Sequence, residues 1–182
     1  MKKLLLLIVF AAFTTIATAQ DYEVRKGYIG LGLGPAWLTE DYTNADSGLQ
    51  VNINFGYLLS QNVGIAATYF STDFELSNYS DRTIGLAGFM AGPLFSFPSP
   101  SGKVEFDLKP MIGYVKATAT IGSNSGTTTD KGKLGFAAGA TVRWNVWPRI
   151  SLSAGFDYYH GKIGGYDLSS YGLTIGAAYR IK

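Results

Sequence analysis

The stretch Gly48–Leu59, "GLQVNINFGYLL", places Leu49, Val51, Ile53, Phe55, Tyr57 and Leu59 at every second position, with Gln50, Asn52, Asn54 and Gly56 between them. Successive side chains of a strand point to opposite faces, so this is a ribbon with one apolar and one polar face. A soluble sandwich turns the apolar face into its core, whereas a membrane barrel turns it outward to lipid. The rest of the chain decides between them.

Charged residues make up 15% of the chain, well below the ~25% of ordinary soluble domains. A soluble domain needs a charged skin to stay dispersed; a chain whose waist is solvated by lipid does not. The first residues, "MKKLLLLIVFAAFTTIATAQ", contain Lys2 and Lys3, an apolar run from Leu4 to Phe13, and Ala17-Thr18-Ala19 in a small-x-small cleavage pattern. This predicts an export signal peptide over residues 1–19 and a mature domain over residues 20–182. The apolar run is too short to cross a bilayer comfortably, and no later stretch reaches the roughly 18 apolar residues that a helical span requires. Lys2 and Lys3 account for the formal net charge of +2, and without them 13 basic residues balance 13 acidic ones. That balance argues against a nucleic-acid partner. With no cysteine, the exported chain must be held by its sheet rather than by disulfides, and a lipid-anchored mature start is excluded.

The alternation recurs through the mature chain, no segment shows a helical period, and about eight strands are expected. Strand one is "GYIGLGLGPAWL", strand two the opening stretch, strand three "NVGIAATYF" and strand five "KVEFDLKPMIGYVKA". The sixth carries Leu134, Phe136, Ala138, Val142, Trp144 and Val146, the seventh Ile150 to Tyr158, and the eighth Tyr171 to Ile181. The fourth, Arg82 to Phe97, has Ile84, Leu86, Met90 and Leu94 in one phase and Phe89, Phe95 and Phe97 in the other; a bulge is expected there to reconcile them. Connections alternate between short ("SQN", "PSPSG", "PR") and long polar ones ("TEDYTNADS", "STDFELSNYSD", "GSNSGTTTDKG", "HGKIGGYDLS"). Short periplasmic turns opposite long outer loops are the arrangement of an outer-membrane barrel. Pro35, Pro93 and Pro110 run against a closed sheet, which has no free edge for a missing donor, so bulges or rim positions are expected for them.

With that topology the aromatic residues fall at the two ends of the apolar face. Tyr57, Trp144 and Tyr179 belong to the periplasmic rim, and Trp37, Tyr69, Tyr114, Tyr158 and Tyr171 to the outer rim, as in the two girdles of a transmembrane barrel. The other face is small and weakly polar, with Gly30, Gly32, Gly34, Asn52, Asn54, Gly135, Ala137 and Gly139 among its members. It suits a cramped lumen and makes a poor water-facing skin. The expected fold is therefore all-β: an eight-stranded antiparallel up-and-down transmembrane β-barrel.

The strand "KGYIGLGLGPAW", the hairpin "GYLLSQNVGIAATY", "FDLKPMIGYV" and the last strand "YGLTIGAAYRIK" together resemble the small outer-membrane β-barrel protein family of Gram-negative bacteria, over Gly27 to Lys182. The resemblance implies residence in the cell outer membrane, contact with outer-membrane lipid and lipopolysaccharide, and insertion by the barrel-assembly machinery. It also implies a monomer with no cofactor. Family members often end on an aromatic residue; this chain ends Tyr179-Arg180-Ile181-Lys182.

Three features bear on chemistry. Glu105, Asp107, Lys109, Arg143, Asp157 and Arg180 share the interior phase, and folding the fifth strand onto the sixth brings Asp107 roughly opposite Arg143. The structural reading is an interior ion-pair plug, since buried charges persist only when paired; the functional reading is a gate. Second, Gly34, Ala36, Gly135, Ala137, Gly172 and Thr174 line the outer half of the lumen, so that a cup for a lipid tail or small apolar ligand is possible unless Phe70 and Tyr159 fill it. Third, His160, the only histidine, lies near Asp157, Asp167, Ser169 and Ser170. A Ser/His/acid set at the outer rim would fit a lipid A-modifying enzyme, but no serine follows His160 by two places, and a solvated rim histidine is the preferred reading. No metal site is expected: the acids of "EDYTNAD" miss the calcium-loop spacing. The expectation is a non-enzymatic outer-membrane protein serving envelope integrity or surface contacts through its outer loops, with a small pore or lipid-binding barrel as the alternative.

Overall fold

The computed structural model describes residues 26–39, 45–76, 82–121, 127–129, 132–163 and 166–181. The expected signal peptide lies outside these residues. All the regular structure among them is β: β1 Gly27–Leu38, β2 Ala45–Leu58, β3 Val63–Leu76, β4 Arg82–Pro98, β5 Val104–Ile121, β6 Thr127–Thr129, β7 Lys133–Asn145, β8 Ile150–Ile163 and β9 Tyr166–Ile181. Each long strand pairs antiparallel with its neighbours in the order β4-β3-β2-β1-β9-β8-β7-β5, and β4 pairs with β5. That last pairing closes eight strands into an up-and-down barrel with no free long edge. The three-residue β6 adds to the outer end of β5, Thr118 facing Thr129.

The opening stretch behaves as its alternation requires. Leu49, Val51, Ile53, Phe55 and Tyr57 face outward, while Gln50 and Asn52 are wholly buried in the lumen. The outward band continues around the barrel through Leu31, Ile65, Ile112, Leu152 and Ile175, the last 70% exposed. Large apolar side chains bared on every strand are not a soluble surface; they form a lipid-facing belt.

Three turns close one end. Leu59 and Ser60 N–H groups both donate to the Val63 carbonyl. Ser99 to Lys103 turns between β4 and β5 through Gly102 at φ 62°, the left-handed region that a glycine enters without a Cβ clash. Trp147 and Ile150 exchange backbone bonds between β7 and β8. Gly27 faces Ile181 at the same end.

Several sequence expectations are corrected. Strands run further outward than the apolar alternation suggested: β3 continues to Leu76, β5 to Ile121, β8 to Ile163, and β9 begins at Tyr166. The presumed loop "HGKIGGYDLS" is therefore mostly strand, because backbone pairing outlasts the lipid-facing side chains. No bulge interrupts β4. Its register is continuous with β3 from Val63↔Phe95 to Glu75↔Thr83, and Leu86, Met90 and Leu94 point inward while Phe89 and Phe95 point out. The two phases are both genuine: this strand fills the lumen with apolar bulk. Pro93 and Pro110 occupy neither bulges nor rims. With Ala91↔Ile112 and Phe95↔Leu108 in register, they face each other across the β4–β5 seam, so both missing donors fall on one rung.

Candidate functional site

The lumen is built in two storeys. Near the short turns, β5 supplies Glu105, Asp107 and Lys109, β7 supplies Arg143, β8 supplies Asp157 and β9 supplies Arg180, all buried. Across the β5–β7 ladder Arg143 faces Glu105, not Asp107, yet it reaches both acids. Arg143 Nη1 lies 2.5 Å from Asp107 Oδ2 and Nη2 lies 2.6 Å from Glu105 Oε2. Arg180 Nη2 takes the other Glu105 oxygen at 2.6 Å, where Asn145 Nδ2 also donates at 2.9 Å. Tyr28 completes the group: its hydroxyl donates to Asp107 Oδ2 at 3.1 Å, and its ring lies 3.7 Å below the Arg143 guanidinium, a cation–π contact. Tyr28 was not among the sequence candidates, although it shares the inward phase of Gly30 and Gly32. Gly56 makes room for it, since a Cβ there would collide with the Tyr28 ring.

One level further out, Lys109 Nζ sits 3.8 Å from Asp157 Oδ1 and donates to Asn54 Oδ1 at 3.2 Å. Asn52 donates to Asp157 Oδ2 at 3.2 Å, Asn54 to Asn52 Oδ1 at 2.8 Å and Thr68 to Asn54 Oδ1 at 2.9 Å. The six interior charges, three acids and three bases, therefore lie in two hydrogen-bonded groups stacked one above the other and together without net charge, which is what burial of ions demands.

Above that stack the lumen is apolar on one side. Phe70 and Tyr159 stack with ring centroids 3.7 Å apart, both buried together with Phe74, Leu86, Met90 and Val115. The small residues that were expected to leave the outer half open are matched by these large ones. A Cβ on Gly88 would lie 2.7 Å from the Phe70 ring, and one on Gly135 2.7 Å from Val115 Cγ2. Gln50 reaches across to Gly172 in the same way. At this level the Phe70–Tyr159 stack occupies part of the lumen expected for the cup, beside buried polar atoms of Gln50, Thr72, Tyr159 and Ser170 that have no hydrogen-bond partner.

His160 faces the outside at the outer end of β8, against Phe136 at 4.6 Å. Its Nδ1 lies 2.7 Å from Ser169 Oγ and its Nε2 lies 3.8 Å from Asp167 Oδ1; Asp157 is inside the lumen and belongs to the Lys109 pair. Among the described residues no group of three or more His, Cys, Asp or Glu could hold a metal ion.

Of the girdle residues, Tyr57, Trp144 and Tyr179 are exposed toward the short-turn end, and Tyr69 and Tyr114 toward the other. Trp37, Tyr158 and Tyr171 are half-buried, Trp37 stacking on Tyr171 at 5.4 Å. Sequence reading missed Phe89, Phe136 and Trp147, which are equally exposed.

A closed barrel with an apolar exterior and a self-neutralised interior defines a class: an integral β-barrel membrane protein. The chain belongs to the outer membrane protein beta-barrel domain family, whose model matches residues 5–180. Its place is accordingly the outer membrane of Gram-negative bacteria. Among solved structures it is similar to Neisserial surface protein A (17% identity, TM-score 0.69, 85% of this chain and 97% of that one). It is also similar to Ail, the attachment invasion locus protein of Yersinia pestis (20%, 0.61, 87% and 100%), and to OprG of Pseudomonas aeruginosa (14%, 0.57, 88% and 99%). At these identities the likeness is one of fold. No curated protein sequence matches.

Proposed function

We propose that this chain is a non-enzymatic, non-conducting barrel that serves envelope integrity and surface contacts through its outer loops. The observation that carries the reading is the crossing of the lumen at two levels, by the Arg143–Glu105–Asp107–Arg180 ion cluster and by the Phe70–Tyr159 stack. A pore needs a continuous wet path, and large side chains paired or stacked across the lumen at two levels argue against one. His160 supports surface polarity better than hydrolysis, because the serine sits on Nδ1 while the acid stands 3.8 Å from Nε2 with half its side chain in solvent. The partners of this reading are lipid and lipopolysaccharide around the belt, the barrel-assembly machinery during insertion, and no second protomer.

Planar-bilayer recording tests it. The protein should give no unitary current steps, and Asp107→Asn should remain silent because the aromatic level stays shut. Sustained steps from the unaltered protein would overturn the closed-lumen reading, and a lipid A mass shift on expression would overturn the non-enzymatic one.

A further inference from the structure

The short-turn end has a charge pattern of its own. Among the described residues there, Lys26, Lys103 and Arg149 are exposed and no acid is; the nearest acids, Glu105 and Asp107, are buried against Arg143 and Arg180. Between the β4–β5 and β7–β8 turns lies a cleft of about 300 Å³ lined by Gly102, Lys103, Asn145, Trp147, Pro148 and Arg180. The two turns are clamped together by Asn145, whose N–H donates to the Lys103 carbonyl at 2.7 Å. Its Nδ2 donates to the Gly102 carbonyl at 2.7 Å and to Glu105 Oε1 at 2.9 Å.

Both side-chain bonds use the amide nitrogen, which leaves Asn145 Oδ1 buried with no partner. A buried acceptor in that state is costly. Arg180, also buried, commits Nη2 to Glu105, and a guanidinium carries further N–H donors. Lys103 is exposed beside it. The cleft therefore presents two cationic donor groups, which complement the phosphodiester of a headgroup that carries net negative charge. Its depth is marked by Trp147, 63% exposed, with Trp144 and Ile150 on the lipid-facing side just above. Tryptophan at such a position sits at headgroup level, and clustered basic residues near a membrane surface attract anionic lipid.

We infer that this cleft binds the headgroup of an anionic glycerophospholipid of the inner leaflet, of the phosphatidylglycerol type. Its phosphodiester meets Lys103 and Arg180. The inference rests on the membrane-barrel reading above, which puts the short turns in the periplasm. Phosphatidylcholine has the same phosphodiester but no net charge, so it is the discriminating competitor.

The test is native mass spectrometry of the detergent-extracted, folded barrel mixed with equal amounts of phosphatidylglycerol and phosphatidylcholine. Retention of phosphatidylglycerol several-fold over phosphatidylcholine is expected. Lys103→Gln should bring the ratio close to one, while Lys116→Gln, at the outer end of β5, should leave it unchanged. Equal retention of both lipids, or an undiminished preference in Lys103→Gln, would overturn the inference. So would displacement of the lipid by millimolar inorganic phosphate, which would make the cleft a phosphate site and not a lipid site. Heat-modifiable migration of the same samples on a gel reports folding separately, so that a barrel which fails to form is distinguishable from a cleft that fails to bind.

Discussion

Arg143 holds two carboxylates at once, and its loss is the most damaging single change the lumen offers. Arg143→Met would leave Asp107 with only the Tyr28 hydroxyl and Glu105 with Arg180 and Asn145. Stranding a buried acid in this way costs about 3–5 kcal/mol in water-soluble proteins, and a loss of that order is expected in urea titrations of the barrel folded into lipid vesicles. Tyr28→Phe is a finer probe, since it keeps the ring beneath the guanidinium and removes only the bond to Asp107. It should cost roughly 1–3 kcal/mol, and the effect should largely vanish in an Asp107→Asn background if the two groups act as a pair. Gly88 tests packing at the upper level: Gly88→Val would push side-chain atoms into the Phe70 ring and the Tyr114 carbonyl. Overpacking of that kind costs about 1–3 kcal/mol or more, and it should be partly relieved by Phe70→Leu.

At the scale of the strands, register is held by the belt. Ile53 and Leu31 are partners across β1 and β2, and Leu152 faces Ala177 across β8 and β9, all with side chains turned to lipid. Ile53→Arg and Ile175→Arg should each destabilise by about 2–4 kcal/mol, whereas Val104→Arg near the short-turn rim should cost no more than about 1 kcal/mol; unfolding in vesicles measures the difference. This belt was the part of the fold most legible in the sequence, because lipid imposes one rule on every outward position and period two repeats it. Strand ends were less legible, since beyond the hydrocarbon Asp73 and Thr118 still pair their backbones while their side chains no longer report a membrane. The inward residues of β4 were least legible. Whether bulk such as theirs fits inside depends on small residues of facing strands, as Phe70 depends on Gly88 and Val115 on Gly135 and Gly161, and a chain read locally says nothing about what faces what across a lumen. The interior charges announced themselves by phase, but the reach of Tyr28 to Asp107 and Arg143 depends on β1 closing on β9, which pairing of neighbours along the chain does not reveal.

For the whole molecule, closure by the β4–β5 pairing and by β1 on β9 makes the sheet a ring of neighbours held by ladders of comparable length. An unboiled sample should therefore migrate differently from a boiled one on a gel, and a fully superimposable pair of bands would contradict a closed barrel. The meeting of Gly27 with Ile181 has a further consequence. A ring has no privileged starting strand, so a circularly permuted chain, with these two residues joined by a short glycine linker and new ends opened in the turn at Gln61, should re-form the same cylinder from detergent. Such a rearrangement would leave the lumen chemistry untouched while changing which hairpin is synthesised last, and so would separate what the finished wall requires from what its order of insertion requires.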